Sequence, residues 1–285
     1  MDLGEKMIRQ EKHLSVRLQE THTGDIRYLS EYYRENGRFP LFQQVLIETR
    51  TDCNNRCPFC PHAHNQKPLG VMTWSCYTRT VDQLVEIGYN GRVALMVSNE
   101  PLLEDRLRDM VVYARKASPR LFLDITTNGK LLTLAKVDEL LGAGLDNVNI
   151  NDYREDRDKR PMGLSENLEP IRAAYGNNPK VTFQYRRTDE QLPNYGGNIK
   201  QVTDGTGLGF CNFPFRKVVV SYSGDVLLCC NDFLYNTCFG NVMSGQIDEC
   251  WNHPRMNEIR IGLLAGRRMS LCARCNDSQD YNVFG

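Results

Sequence analysis

Between Phe42 and Arg186, short β-rich runs alternate with helical patterns, and this alternation sets the fold class. The runs are "FQQVLIETR" (Phe42–Arg50), "RVALMVS" (Arg92–Ser98), "LFLDITTNG" (Leu121–Gly129), "DNVNIN" (Asp146–Asn151) and "KVTFQYR" (Lys180–Arg186). Helical periodicity fills the gaps over Thr73–Tyr89, Leu102–Ala117, Leu134–Ala143 and Leu164–Tyr175. Strands this apolar do not suit an open antiparallel sheet. They predict a parallel sheet with helices outside, an α/β architecture. Such sheets bind ligands at the carboxyl ends of their strands. The segments that follow the strands are therefore where chemistry is expected.

The first of those segments is "RTDCNNRCPFCPHAHNQKPLG", in which Cys53, Cys57 and Cys60 are spaced C-x3-C-x2-C. Composition decides how to read them. Lys+Arg 35 balance Asp+Glu 35, so no global field draws in nucleic acid or a membrane surface. No apolar stretch is long enough to span a bilayer, and "MDLGEKMIRQEKHLSVRLQE" lacks the apolar core of a signal peptide. These features predict a cytoplasmic globular protein. In a reducing compartment, the clustered members of 11 cysteines read as metal or redox sites and not as disulfides. Three thiolates hold three irons of a 4Fe–4S cube and leave the fourth iron open. The competing zinc site wants four ligands, and His62 or His64 would have to complete it.

Past Thr188 the pattern changes. A Gly-rich loop to Phe210 reads as a boundary. "KVVVSYSGDVLLCCND" (Lys217–Asp232) reads as a hairpin turning at Ser223-Gly224-Asp225. A helix over Ile247–Leu264 and a Cys-bearing tail follow. The predicted domains are a helical extension over 1–41, the strand–helix body over 42–190, and a linker with a small C-terminal domain over 191–285.

"CNNRCPFC" resembles the cluster motif of radical S-adenosylmethionine (SAM) enzymes. The resemblance implies a partial (β/α) barrel whose open iron chelates the amino and carboxylate groups of SAM. An electron from the cluster then cleaves SAM to a 5′-deoxyadenosyl radical that takes a substrate hydrogen. It assigns Phe59 to the hydrophobic position beside the adenine. "SNEPLL" resembles the family's GGE-type motif with Ser98 and Asn99 in place of glycines, and its Glu100 is expected to accept from the SAM ammonium. "TTNG" places Thr127 and Asn128 near the ribose, and Asn151 ends the fourth strand on the same side.

The C-terminal cysteines resemble the twitch domain, the short form of the SPASM auxiliary-cluster domain. That resemblance implies a small α+β domain with a second 4Fe–4S cluster, fully ligated by Cys211, Cys229, Cys272 and Cys275. The Gly-x4-Cys spacing from Gly224 selects Cys229 over Cys230. Four cysteines would also suit zinc.

"EPLL", "TNG", "GGNI", "GDVLLCCNDF", "FGNV", "WNHPRM" and "LCARCN" together resemble the small two-cluster radical SAM enzymes of aminoglycoside biosynthesis. Some members invert a ring carbon and others oxidise its alcohol, as in butirosin-type dehydrogenation. The resemblance implies an amino-sugar or aminocyclitol substrate and an external electron donor such as flavodoxin or ferredoxin. Inversion needs a thiol to return a hydrogen atom, and four cysteines lie outside the clusters: Cys76, Cys230, Cys238 and Cys250. Cys76 reads as core. Cys250 is the expected donor, with Cys230 second. Tyr195 stands where the oxidising members carry an arginine, so epimerisation is the expected outcome and dehydrogenation the alternative. Tyr195, Asp152 and Asp232 are expected to meet the substrate, with Glu155 and Asp156 near the mouth. A peptide-modifying maturase is a further alternative, although the first forty residues are too short for the usual leader-binding module. A plain iron–sulfur electron carrier would have no use for an open iron.

Overall fold

The computed structural model describes residues 23–154, 167–187, 193–199 and 209–277. Residues 23–36 form a helix, α1. The expected extension over 1–41 is otherwise outside the described residues up to residue 22. Among the described residues, seven strands form one sheet in the order β5-β4-β3-β2-β1-β6-β7. β1 is Gln44–Ile47, β2 Arg92–Ala94, β3 Phe122–Thr127, β4 Asn147–Arg154 and β5 Val181–Arg187. These pair in parallel, as predicted from their apolar character.

Period-two alternation gives the sheet two different faces. Val45, Ile47, Val93, Leu123, Ile125, Val148 and Ile150 belong to one large buried cluster. Helices cover that face: α3 (Trp74–Glu86) with Tyr77, Val81 and Leu84, α4 (Leu107–Ala117) with Met110 and Val111, and α5 (Leu134–Gly142) with Val137 and Leu140. α6 (Glu169–Tyr175) adds Ile171. Helix starts are fixed locally. Thr73 accepts from the Cys76 amide, and Thr133 from that of Lys136. Leu46 and Ala94 point to the other face, with Val219 and Leu227, in a smaller cluster. That inner face is otherwise polar, and Asn149 bonds there to Thr126 and Thr182.

The predicted hairpin joins the main sheet, and one expectation changes. β6 (Lys217–Val220) pairs in parallel with β1, and β7 (Val226–Leu227) pairs antiparallel with β6. The auxiliary segment therefore extends the main sheet. The single helix expected over Ile247–Leu264 is two, α8 (Ile247–Trp251) and α9 (Pro254–Leu264). Pro254 bars the helical conformation at His253, which is extended.

Cys250 lies in α8, is buried in the large outer cluster, and packs against Gly240. Gly240 has φ 131°, and a Cβ there would lie 2.5 Å from the Cys250 sulfur. Gly240→Ala is therefore expected to lower stability by about 2 kcal/mol or more, measured by denaturant unfolding. Adding Cys250→Ala to that variant should recover the steric part of the loss.

Candidate functional site

All five parallel strands of the main body end on one edge, and four of the segments that follow them build one pocket. It is lined by Cys53, Cys57, Phe59 and Cys60 after β1, by Met96 to Glu100 after β2, by Thr126 to Asn128 at the end of β3, and by Asn151 on β4. Tyr195 closes it from the 193–199 loop. The structure thus brings together Phe59, Glu100, Thr127, Asn128, Asn151 and Tyr195 with the three cysteines.

The thiols are held as a set. The Asn55 amide N–H donates to Cys53 Sγ at 3.4 Å, and Asn55 Nδ2 to Cys57 Sγ at 3.1 Å. Lys130 holds Asn55 by its Oδ1 at 2.9 Å, and Asn128 Nδ2 donates to Asn54 Oδ1 at 2.7 Å. Arg50 clamps Asp52 through two bonds and also donates to the Leu103 carbonyl, which ties the cysteine loop to the segment after β2. Burial pushes the Asp52 carboxyl up, but Arg50 outweighs it and holds the group below the usual range. Burial, then the neighbouring Cys60 and Cys53, push the Cys57 thiol up to about 11. Cluster assembly must therefore displace protons.

His62 and His64 turn to other partners. The His64 ring bonds the Pro58 carbonyl at 2.5 Å, and the His62 ring packs edge-on against Phe233 at 4.9 Å. Among the described residues, no three His, Cys, Asp or Glu side chains converge on a position for a single metal ion. A cube spreads its thiolates further apart than a lone zinc does.

Glu100 lines the pocket and also braces it. It accepts from Thr127 Oγ1 at 2.6 Å, the Asn128 amide at 2.8 Å and the Leu102 amide at 3.0 Å. It pins the end of β3 to the segment after β2, and burial raises its pKa against those bonds. Two side-chain amides stand out in the lining, Asn99 of the "SNEPLL" segment and the expected Asn151. Asn99 Nδ2 and Asn151 Oδ1 are buried in the pocket lining without a partner. An unmatched donor and an unmatched acceptor beside three thiols fit a ligand carrying both a carboxylate and an ammonium, as the methionine end of SAM does.

Beside the pocket lies a buried ion pair. Lys67 Nζ meets Glu48 Oε1 at 2.5 Å, with 3% and 2% of the two side chains exposed. Tyr235 OH donates to Glu48 Oε2 at 2.6 Å, and the ammonium lies 4.6 Å and 4.3 Å from the Phe233 and Tyr235 ring centres. The end of the cysteine loop is thereby fastened to the segment after Cys229.

The second thiol set is buried throughout. Cys211 precedes α7 (Phe213–Arg216), Cys229 follows β7, and Cys272 and Cys275 lie on and just after the turn Ser270–Arg274. Burial pushes the Cys211 thiol up to about 12 and, with Cys275 beside it, Cys272 to about 11. Arg268 draws the set together by donating to the carbonyls of Gly209, Cys275 and Asp277 at 3.1, 3.0 and 3.1 Å. The sequence signal for it was the basic pair before "LCARCN", which reads as ordinary surface charge.

Other expected site residues fall elsewhere. Asp152 is buried but does not line the pocket, because β4 alternates and Asn151 takes the inward place. Asp232 accepts from the amides of Asn236 and Thr237 at 2.8 and 2.7 Å and from Thr237 Oγ1 at 2.5 Å, so it organises its own turn. Glu155 and Asp156 lie outside the described residues. Cys250 is not among the pocket-lining residues. Cys230 is half-buried and packs against both clusters, sharing the small one with Met96, Val97 and Tyr235, and it is not among the pocket-lining residues.

Comparison with known proteins agrees with this geometry. Residues 47–151 match the radical SAM superfamily, and residues 211–276 match SPASM, an iron–sulfur cluster-binding domain. The S-adenosyl-L-methionine-dependent 2-deoxy-scyllo-inosamine dehydrogenase of Niallia circulans is 27% identical over 241 residues, covering 83% of this chain and 94% of that protein. The crystal structure of BtrN in complex with AdoMet and 2-DOIA superposes with a TM-score of 0.71 at 25% identity, covering 85% of this chain and 98% of that one. Native anSMEcpe with bound AdoMet shares the fold at TM-score 0.52 and 16% identity, over 75% of this chain and 82% of that one.

Anaerobic reconstitution should load about eight irons per chain. Replacing Cys53, Cys57 and Cys60 by Ala should leave about half of that iron and abolish SAM cleavage. Stoichiometric zinc without iron would contradict both assignments.

Proposed function

The chain is a radical SAM protein with a C-terminal auxiliary-cluster domain of the SPASM type, and we propose that it oxidises a secondary alcohol of an aminocyclitol to a ketone. The observation that carries this reading is the placement of the thiols. Cys211, Cys229, Cys272 and Cys275 are all buried, as a closed cluster that passes electrons without touching substrate would require, while the expected hydrogen donor Cys250 packs against Gly240. The likeness to a dehydrogenase over 94% of that enzyme's length supports the same outcome, and with it dehydrogenation in place of the expected epimerisation.

When bound, SAM and the three-thiol cluster supply hydrogen-atom abstraction, and the four-thiol cluster supplies an acceptor for the second electron. The chain's residues do the placing. Asn99 Nδ2 and Asn151 Oδ1 would hold the carboxylate and ammonium of SAM. Phe59 would pack beside the adenine, and Thr127 and Asn128, fixed by Glu100, would border the ribose. Tyr195 walls the pocket opposite the thiols. The Glu48–Lys67–Tyr235 group fastens the end of the cysteine loop to the segment that follows Cys229. Overall the carbinol loses its C–H hydrogen, its O–H proton and one electron, and the C–O single bond becomes a carbonyl.

One observation favours a second reading. Cys230 packs partly against the small inner cluster, as do Met96 and Val97, which line the pocket. In that reading Cys230 returns a hydrogen atom and the carbon is inverted.

Mass analysis separates the two. With SAM, a reductant and 2-deoxy-scyllo-inosamine in deuterated water, oxidation gives a product two mass units lighter and carrying no deuterium. Cys230→Ser should leave that yield within about twofold, as expected for a side chain outside the reaction. A product that gains one deuterium at the reacting carbon, and is lost in Cys230→Ser, would replace oxidation by epimerisation.

A further inference from the structure

The 193–199 loop is anchored to both thiol sites by side-chain amides. On one side, Asn65 Nδ2 donates to the Asn198 carbonyl at 2.6 Å. Asn65 caps the short helix α2 (Pro61–His64), which starts at Cys60. On the other side, Asn198 Nδ2 donates to the Asn231 carbonyl at 3.2 Å, two residues past Cys229. Asn231 Nδ2 in turn reaches Asp277 Oδ2 at 3.0 Å and Cys275 Sγ at 3.7 Å. A second anchor pairs Asn194 with the auxiliary loop. The Asn194 amide donates to Asn276 Oδ1 at 2.6 Å, the Asn276 amide to Asn194 Oδ1 at 3.2 Å, and Asn194 Nδ2 to the Arg274 carbonyl at 2.8 Å.

Tyr195 sits inside this frame. It has φ 48°, a left-handed conformation unusual for a tyrosine, and it lines the pocket of Cys53, Cys57 and Cys60. The Asn198 side chain also donates to the Tyr195 carbonyl, at 2.6 Å. One amide group therefore holds the Tyr195 backbone and the auxiliary loop together, while the same residue's carbonyl is held by the cysteine loop. Gly196 and Gly197 permit the close approach, since a Cβ on Gly196 would lie 2.7 Å from Leu271 Cδ1.

We infer that Asn198 is a positioning residue that sets the SAM-facing wall of the pocket by locking Tyr195 between the two cluster loops. It touches neither SAM nor a cluster thiol, and it acts through Tyr195. The inference depends on SAM occupying this pocket and not on whether the reaction is oxidation or inversion.

The probe is SAM itself, measured by equilibrium dialysis with the anaerobically reconstituted full chain. Asn198→Ala and Asn198→Asp, which lacks the donor but keeps the shape, should each weaken SAM binding about five- to tenfold. Iron content should stay at the wild-type value, and 5′-deoxyadenosine formation at saturating SAM should stay within about twofold of it. Tyr195→Ala should weaken SAM binding by a similar factor. The double variant Asn198→Ala/Tyr195→Ala should be no weaker than Tyr195→Ala, because residues acting through one contact are not additive. Full affinity in Asn198→Asp, multiplied losses in the double variant, or loss of iron in the Asn198 variants would each overturn the inference. If Asn198→Ala does not fold, Asn198→Asp and Asn65→Ala carry the same comparison. Failure of 2-deoxy-scyllo-inosamine to react would count against the proposed substrate and leave this result standing.

Discussion

Parallel pairing is the constraint on which the rest depends. It puts the carboxyl ends of β1 to β4 on one edge, so residues nearly a hundred positions apart in sequence, from Cys53 to Asn151, line one pocket. Each return to that edge costs a crossover helix, and those helices bury the outer face. The inner face is left free to be polar. Joining β6 to β1 then brings the auxiliary segment to the same sheet. The two thiol sets are related through backbone pairing and not through a flexible linker.

The polar groups near the site mainly fix segments against one another. Glu100 joins the β2 and β3 ends, Arg50 joins the cysteine loop to Leu103, and Arg268 gathers the auxiliary thiols. The buried Lys67–Glu48 pair gains little net stability from its charges, since desolvation offsets the attraction. Its geometry still fixes which surfaces meet, with Tyr235 and Phe233 completing the contact. Unmatched amides at Asn99 and Asn151 then remain for a ligand to satisfy.

Much of this was legible because it is periodic or because thiols are rare. The five parallel strands announced themselves by apolar runs, and C-x3-C-x2-C fixed the site to the end of the first. The pairing of β6 with β1 joins segments more than 150 residues apart, and no local pattern encodes it. The break between α8 and α9 is legible in Pro254, within a longer helical pattern. Charge is what marks Asp152 and Asp232 in the sequence, but it does not encode the pleat that keeps the first out of the three-thiol pocket lining, nor the short-range hydrogen bonds by which the second organises its turn. The bracing role of the asparagines at 65, 194, 198 and 231 is not legible even where "GGNI" and "GDVLLCCNDF" contain them, because an amide's partners appear only when two loops meet.

The central claim is one open cluster in the three-thiol pocket and one closed cluster held by four cysteines. Electron paramagnetic resonance of the reduced, fully reconstituted protein tests it most directly, with and without SAM. The account predicts that SAM shifts one of two 4Fe–4S signals, and that the signal left in Cys57→Ala does not respond to SAM. A shift of both signals, or a SAM-responsive signal in Cys57→Ala, would contradict it.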